Sequence, residues 1–119
     1  MEIEVGEYVR TNNGVIGKLI RIERDDIDIS LKWYVFYDEK NERYINKPYI
    51  TNHSFNIIDL VEVGDIVHIK DVLHEDITYI WSEDYLKALK EDIQNGIKLV
   101  SIVTKEQMQS IEYKVEEDR

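Results

Sequence analysis

The sequence predicts a mainly β protein: two tandem SH3-like small β-barrel lobes, residues 1–60 and 61–119, the second carrying one or two short helices. Three observations carry this. Ile3-Glu4-Val5-Gly6-Glu7-Tyr8-Val9-Arg10 recurs as Val61-Glu62-Val63-Gly64-Asp65-Ile66-Val67-His68, with four positions identical and three conservatively changed. The second copy starts near the midpoint of the 119 residues, so each half opens with the same apolar-acidic-apolar-Gly-acidic turn into a strand. Period-two alternation is strict over 27–38, and turn residues separate the other short apolar runs, the pattern of short, strongly bent strands. A half of about sixty residues is near the lower limit for a self-sufficient core, so the lobes are expected to support each other.

The elements are taken in chain order. Val5-Gly6-Glu7 turns into a strand from Tyr8 to Thr11. Asn12-Asn13-Gly14 is a hairpin signal, because Asn and Gly tolerate the positive φ of tight turns. A strand from Val15 to Ile22 comes next, with Gly17 a point of bulge or close approach. Arg24-Asp25-Asp26 marks a turn. Ile27, Ile29, Leu31, Trp33, Val35 and Tyr37 then alternate with Asp28, Ser30, Lys32, Tyr34, Phe36 and Asp38, which predicts one half-buried strand over 27–38. Asp38 to Arg43 reads as a polar turn, Tyr44-Ile45 as a short strand, and Lys47-Pro48 confines that segment to an edge or loop. Thr51 to Ser54 reads as irregular, and Phe55 to Leu60 returns to the core.

In the second half, strands are expected at Asp65–Lys70 and Ile77–Trp81. Ser82 is placed to cap a helix with Glu83 and Asp84 in its first turn, favourable at the positive end of the dipole. Tyr85, Leu86, Leu89 and Ile93 form its apolar stripe, and Asn95-Gly96 is a fitting C-cap. Ile97 to Val103 is a strand. Thr104-Lys105-Glu106-Gln107 has the capping-box pattern and predicts a single helical turn. Ile111 to Val115 is expected to close the sheet, and residues 116–119 to form a frayed tail.

Composition limits function. There is no cysteine, hence no disulfide framework and no thiolate chemistry, which suits a reducing cytoplasm. The N-terminus has neither a basic nor an apolar leader region, and no apolar run approaches the length of a membrane span. A cytoplasmic protein with no membrane partner is expected. The net charge is −10. Dividing the chain after residue 60 leaves 8 basic and 11 acidic residues before it and 7 and 14 after it, so the second half carries −7. Such a surface repels phosphate backbones, so no direct nucleic-acid binding is expected. A basic protein partner fits, and solubility alone is the simpler alternative.

No catalytic centre stands out. His68, His74, Asp71, Glu75 and Asp76 lie close in sequence, but their spacing matches no standard zinc pattern, and ordinary loop histidines are the expectation. His53 precedes Ser54 without a nucleophile elbow. The five glycines are scattered at turns rather than gathered in a phosphate loop. No metal, no cofactor and no catalysis are expected. The aromatics offer more. Trp33 and Tyr37, on the wholly apolar face, are assigned to the core, whereas Tyr34, Phe36, Tyr49 and Trp81 are candidates for a binding surface; the alternative is that they fill thin cores.

Two stretches carry a resemblance. Asn56-Ile57-Ile58-Asp59-Leu60-Val61-Glu62-Val63-Gly64-Asp65 is similar to the mid-chain junction of a group of small phage- and prophage-encoded proteins of Gram-positive bacteria. Ser101-Ile102-Val103-Thr104-Lys105-Glu106-Gln107-Met108, followed by Tyr113, resembles the closing segment of that group, and Val5-Gly6-Glu7-Tyr8-Val9-Arg10-Thr11 fits its opening. These motifs are turns and strands, so the resemblance implies a fold and carries over no catalytic residues. A phage origin implies a protein that acts by adhering to a host machine, such as a nuclease or CRISPR effector, in the bacterial cytoplasm. Glu75, Asp76, Glu83, Asp84, Glu91 and Asp92 would then face a basic groove, in the manner of an anti-CRISPR protein. An SH3-like peptide-binding module using Tyr34, Phe36 and Tyr49 is the alternative. Monomer and homodimer both remain open.

Overall fold

The computed structural model describes residues 2–38 and 40–111, and the chain divides into two units, Met1–Glu62 and Val63–Arg119. It is mainly β, with two antiparallel sheets and two α-helices. The first unit holds β1 (Tyr8–Thr11), β2 (Ile16–Arg24), β3 (Lys32–Asp38), β4 (Asn41–Ile45) and β5 (Ile50–Ser54), with 3-10 turns at Lys47–Tyr49 and Ile57–Leu60. Its strand order is β4-β3-β2-β1-β5. The sheet is open, with β4 and β5 as edges, so the expected closed barrel is not formed. The second unit holds β6 (Ile66–Lys70), β7 (Glu75–Tyr79), α1 (Glu83–Gln94), β8 (Lys98–Val103) and α2 (Lys105–Ile111), with strand order β7-β6-β8.

The sequence repeat is a repeat of structure. Gly6 and Gly64 both have positive φ, +98° and +101°, where a side chain would be strained. Gly6 N donates to Leu19 O at 2.9 Å, and Leu19 N returns a bond to Glu7 O at 2.8 Å. In the second unit Gly64 N donates to Ile80 O at 2.8 Å, and Ile80 N to Asp65 O at 2.9 Å. Leu19 and Ile80 are both buried core residues. The acidic residue of each copy is buried too. Glu7 accepts from Glu4 N at 2.6 Å, whereas Asp65 accepts from Lys105 N at 3.0 Å and so anchors the start of α2.

The expected strand over 27–38 is shortened to β3. Asp25 Oδ1 accepts from Ile27 N at 2.8 Å and Asp28 N at 2.9 Å, and Asp28 Oδ1 accepts from Ser30 N at 3.0 Å. Aspartates that satisfy nearby backbone N–H groups offer an alternative to the sheet ladder, and they turn residues 25–31 into a loop. The burial within β3 also differs from expectation: Val35 is buried as expected, but so are both of its neighbours. Tyr34 and Phe36 lie in the core with Ile3, Val9 and Leu19, opposite Ile22 and Leu19 of β2. Tyr37, expected inside, is 48% exposed, and Trp33 is half-buried with its Nε1 donating to Asp25 at 3.0 Å.

Other boundaries move for similar reasons. Residues 51–54 are not irregular: they belong to β5, which pairs antiparallel with β1. The polar stretch 41–43 is strand because it pairs antiparallel with β3, Phe36 opposite Arg43 and Tyr37 opposite Glu42, and Arg21 of β2 also reaches Glu42 at 2.8 Å. β7 begins two residues before the expected Ile77. Ser82 caps α1 as expected, accepting from Tyr85 N at 3.1 Å, and Leu86 and Leu89 are its buried residues. The capping box also forms: Gln107 N donates to Thr104 Oγ1 at 3.3 Å, and Gln107 Oε1 accepts from Thr104 N at 3.1 Å. It opens a seven-residue helix rather than a single turn. Ile111 belongs to that helix; the rest of the expected strand, 112–115, and the tail 116–119 lie outside the described residues.

Candidate functional site

The second unit carries the acidic residues named from the sequence. α1 is amphipathic, and its outward side bears Glu83, Asp84, Glu91 and Asp92, all exposed or half-exposed. Asp84 and Glu91 are seven residues apart and therefore share a face about 10 Å along the axis. Lys87 sits one turn after Glu83 and one turn before Glu91, which breaks the acidic stripe into two pairs. The pairs differ energetically. Glu83 and Asp84 occupy the first turn, where the helix dipole favours them. Glu91 and Asp92 lie near the opposite end, whose last turn has no basic residue. Their carboxylates oppose the dipole, a placement that stability does not ask for.

Glu75 and Asp76 are exposed but do not act together. Adjacent strand residues point to opposite faces. Asp76 shares a face with Thr78, whose Oγ1 is 2.7 Å from the Tyr85 hydroxyl of α1. Glu75 lies on the other face, its Oε2 2.5 Å from His68 Nε2. The four carboxylates of α1 thus form the candidate site, with Asp76 on the same side of the sheet as the helix.

Of the aromatic candidates, Tyr34 and Phe36 are buried at 5% and 2% exposure, which removes them as an open binding surface. Tyr34 still lines a cleft of about 300 Å³ with Leu31, Asn46 and Pro48. Tyr49 and Trp81 are exposed, and Trp81 stacks on Tyr85 with ring centroids 5.9 Å apart. Tyr79, paired with Ile66, is on the face opposite Thr78.

His53, for which the sequence suggests no partner, is half-buried on β5, and its Nδ1 lies 2.9 Å from Glu7 Oε1. A carboxylate only accepts, so Nδ1 carries the proton and Nε2 faces away from Glu7. The partners are 46 residues apart, and no local pattern signals the pair. Burial raises the Glu7 carboxyl, but the Glu4 N–H and His53 outweigh it and hold the group below the usual carboxylate range. With the folded value lowered, the stability that Glu7 contributes is full above the unfolded carboxylate range and is lost as pH falls through the folded value. Urea midpoints measured across acid pH should therefore fall less steeply in Glu7→Gln than in the wild type; parallel curves would deny Glu7 this role.

Among the described residues, no group of three or more histidine or acidic side chains is arranged to hold a metal, and no helix is long and apolar enough to cross a membrane. The chain matches no protein-family model, no curated protein and no solved structure.

Proposed function

We propose that this chain is a non-enzymatic phage or prophage protein that binds a host defence or DNA-handling protein and blocks it, in the manner of an anti-CRISPR. It acts in the bacterial cytoplasm, and the acidic side of α1 faces a basic groove on the target. The observation that carries this reading is the placement of Glu91 and Asp92. Two carboxylates at the wrong end of a helix lower stability, and a basic partner is what would reward them. The phage setting is itself part of the proposal and comes from the resemblance read in 56–65 and 101–108.

The test separates binding from folding. A purified CRISPR effector nuclease is assayed for DNA cleavage with and without this protein, at low and high salt. Glu91→Lys with Asp92→Lys is expected to weaken inhibition by about 100-fold, while Asp92→Lys, which does not face Lys87, stabilises α1 by about 0.3–1 kcal/mol. Glu83→Lys with Asp84→Lys is expected to weaken inhibition as much while lowering stability. Inhibition that tracks stability rather than charge, or that ignores salt, would remove the acidic surface from the mechanism.

A second reading has one specific support. The order β4-β3-β2-β1-β5, with a 3-10 turn before β5, favours an SH3-like first unit serving as a peptide-interaction module. With Phe36 and Tyr34 buried, Tyr49 and Pro48 of that turn are its remaining contacts. Salt-resistant binding lost in Tyr49→Ala would favour it over the acidic surface.

A further inference from the structure

Val72 and Leu73, at the tip of the β6–β7 hairpin, are 98% and 83% exposed. The fold does not require them. The repeat makes this hairpin the counterpart of the β1–β2 hairpin, which closes through the polar Asn12-Asn13-Gly14. The tip is also held in shape. Asp71 Oδ1 accepts from Leu73 N at 2.8 Å and His74 N at 2.6 Å, and Asp71 N donates to His74 O at 2.8 Å. Those two N–H groups keep the Asp71 carboxyl below the usual range, so it stays charged. Glu75 and Asp76 come directly after, with Lys70 and His74 as the basic neighbours.

The same construction occurs in the first unit. Asp25 organises a turn that presents Ile27 and Ile29 at 96% and 72% exposure beside Asp26 and Asp28. An aliphatic pair on an aspartate-locked turn thus appears twice, at positions where burial within the unit explains neither.

We propose that the Val72–Leu73 tip is a contact finger that seats on an apolar surface flanked by lysine or arginine on a partner protein. A preformed turn loses little conformational freedom on binding, so the aliphatic pair delivers its burial with a small entropic penalty. The surrounding carboxylates set the sign of the partner's rim, and this part rests on the basic-partner reading of the proposed function. The finger supplies the apolar anchor that an acidic surface alone lacks.

The probe is a labelled lysine–leucine amphipathic helical peptide, titrated against the full chain, with a glutamate–leucine peptide as its opposite. Val72→Ser with Leu73→Ser leaves Asp71 and the turn in place. It is expected to weaken lysine–leucine binding by about tenfold or more without moving the thermal midpoint or the salt dependence. Asp76→Lys, which leaves the Glu75–His68 pair in place, is expected to weaken the same binding and reduce its salt dependence. Undiminished binding in the serine variant overturns the finger, even where charge reversal abolishes binding and the acidic reading survives. Loss in the serine variant, with binding intact after charge reversal, keeps the finger and removes the basic rim. Self-association of the wild type that the serine variant abolishes overturns it in favour of a second copy as occupant.

Discussion

Arg10→Ala is expected to cost the first unit about 2–3 kcal/mol, the scale for leaving a buried polar group without its charged donor. Arg10 is 1% exposed, an extreme position for a guanidinium. Its Nη1 donates to Leu60 O at 2.8 Å, and its Nε lies 3.5 Å from Glu62 Oε2. The Glu62 side chain is 36% exposed, so solvent screens that ion pair, whereas the bond to the Leu60 carbonyl is buried. Leu60 itself is fully buried at the end of a 3-10 turn, so its carbonyl has little water to turn to. Trp33 reports on the first unit if Trp81 is first replaced by Phe, and urea denaturation then gives the loss directly. Arg10→Met, which keeps the apolar stem but not the donor, should recover part of the packing and still fall well below the wild type. A loss under about 1 kcal/mol in Arg10→Ala would mean that the Leu60 carbonyl finds another donor. The repeat provides an internal comparison: His68 holds this position in the second unit and is only half-buried, so His68→Ala should cost much less.

Much of the architecture is legible in the sequence because it rests on local chemistry. The Val-Gly-acid repeat marks two equivalent turns, and both glycines do take positive φ. Asn12-Asn13-Gly14, the Ser82 cap and the Thr104–Gln107 box involve residues within a few positions of each other, and each forms as expected. The elements that depend on distant partners are not legible. Residues 51–54 have no strand pattern of their own and become β5 because β1 accepts them across the sheet. The alternation at 27–38 is genuine, but its first members are lost to Asp25 and Asp28, whose side chains compete with the ladder.

The site is legible in the same uneven way. Four carboxylates on one helix follow from the period of α1, and so does Lys87 between them. Grouping Glu75 with Asp76 conflicts with the period of a strand, which sends neighbours to opposite faces. The burial of Tyr34 and Phe36 is hidden because face assignment in β3 depends on the irregular register between Leu19 and Arg21 and on a close approach at Gly17.

Gly17→Ala tests that close approach, and about 3 kcal/mol of destabilisation is expected, at the upper end for an overpacked site. Gly17 lies opposite Val9 in the β1–β2 ladder, and its φ is not positive, so backbone conformation is not the obstacle. Space is. A Cβ there would overlap both the Phe36 ring and the Tyr37 carbonyl oxygen. The ring is packed with Ile3, Val9 and Leu19, so moving it disturbs the core. The carbonyl is main chain of β3, which pairs with β4 through Tyr37 and Glu42, so relief requires the strand to move. Gly96→Ala is the contrasting case: nothing lies within 4 Å, and only its φ of +114° resists substitution, at a cost of about 1–2 kcal/mol. Adding Phe36→Leu to Gly17→Ala should restore part of the loss, since the two residues share one space and their effects will not add. If Gly17→Ala is as stable as the wild type by urea denaturation, Phe36 does not seat on β2. Its side chain then returns to the surface, and the aromatic peptide-binding reading regains the contact that burial takes from it.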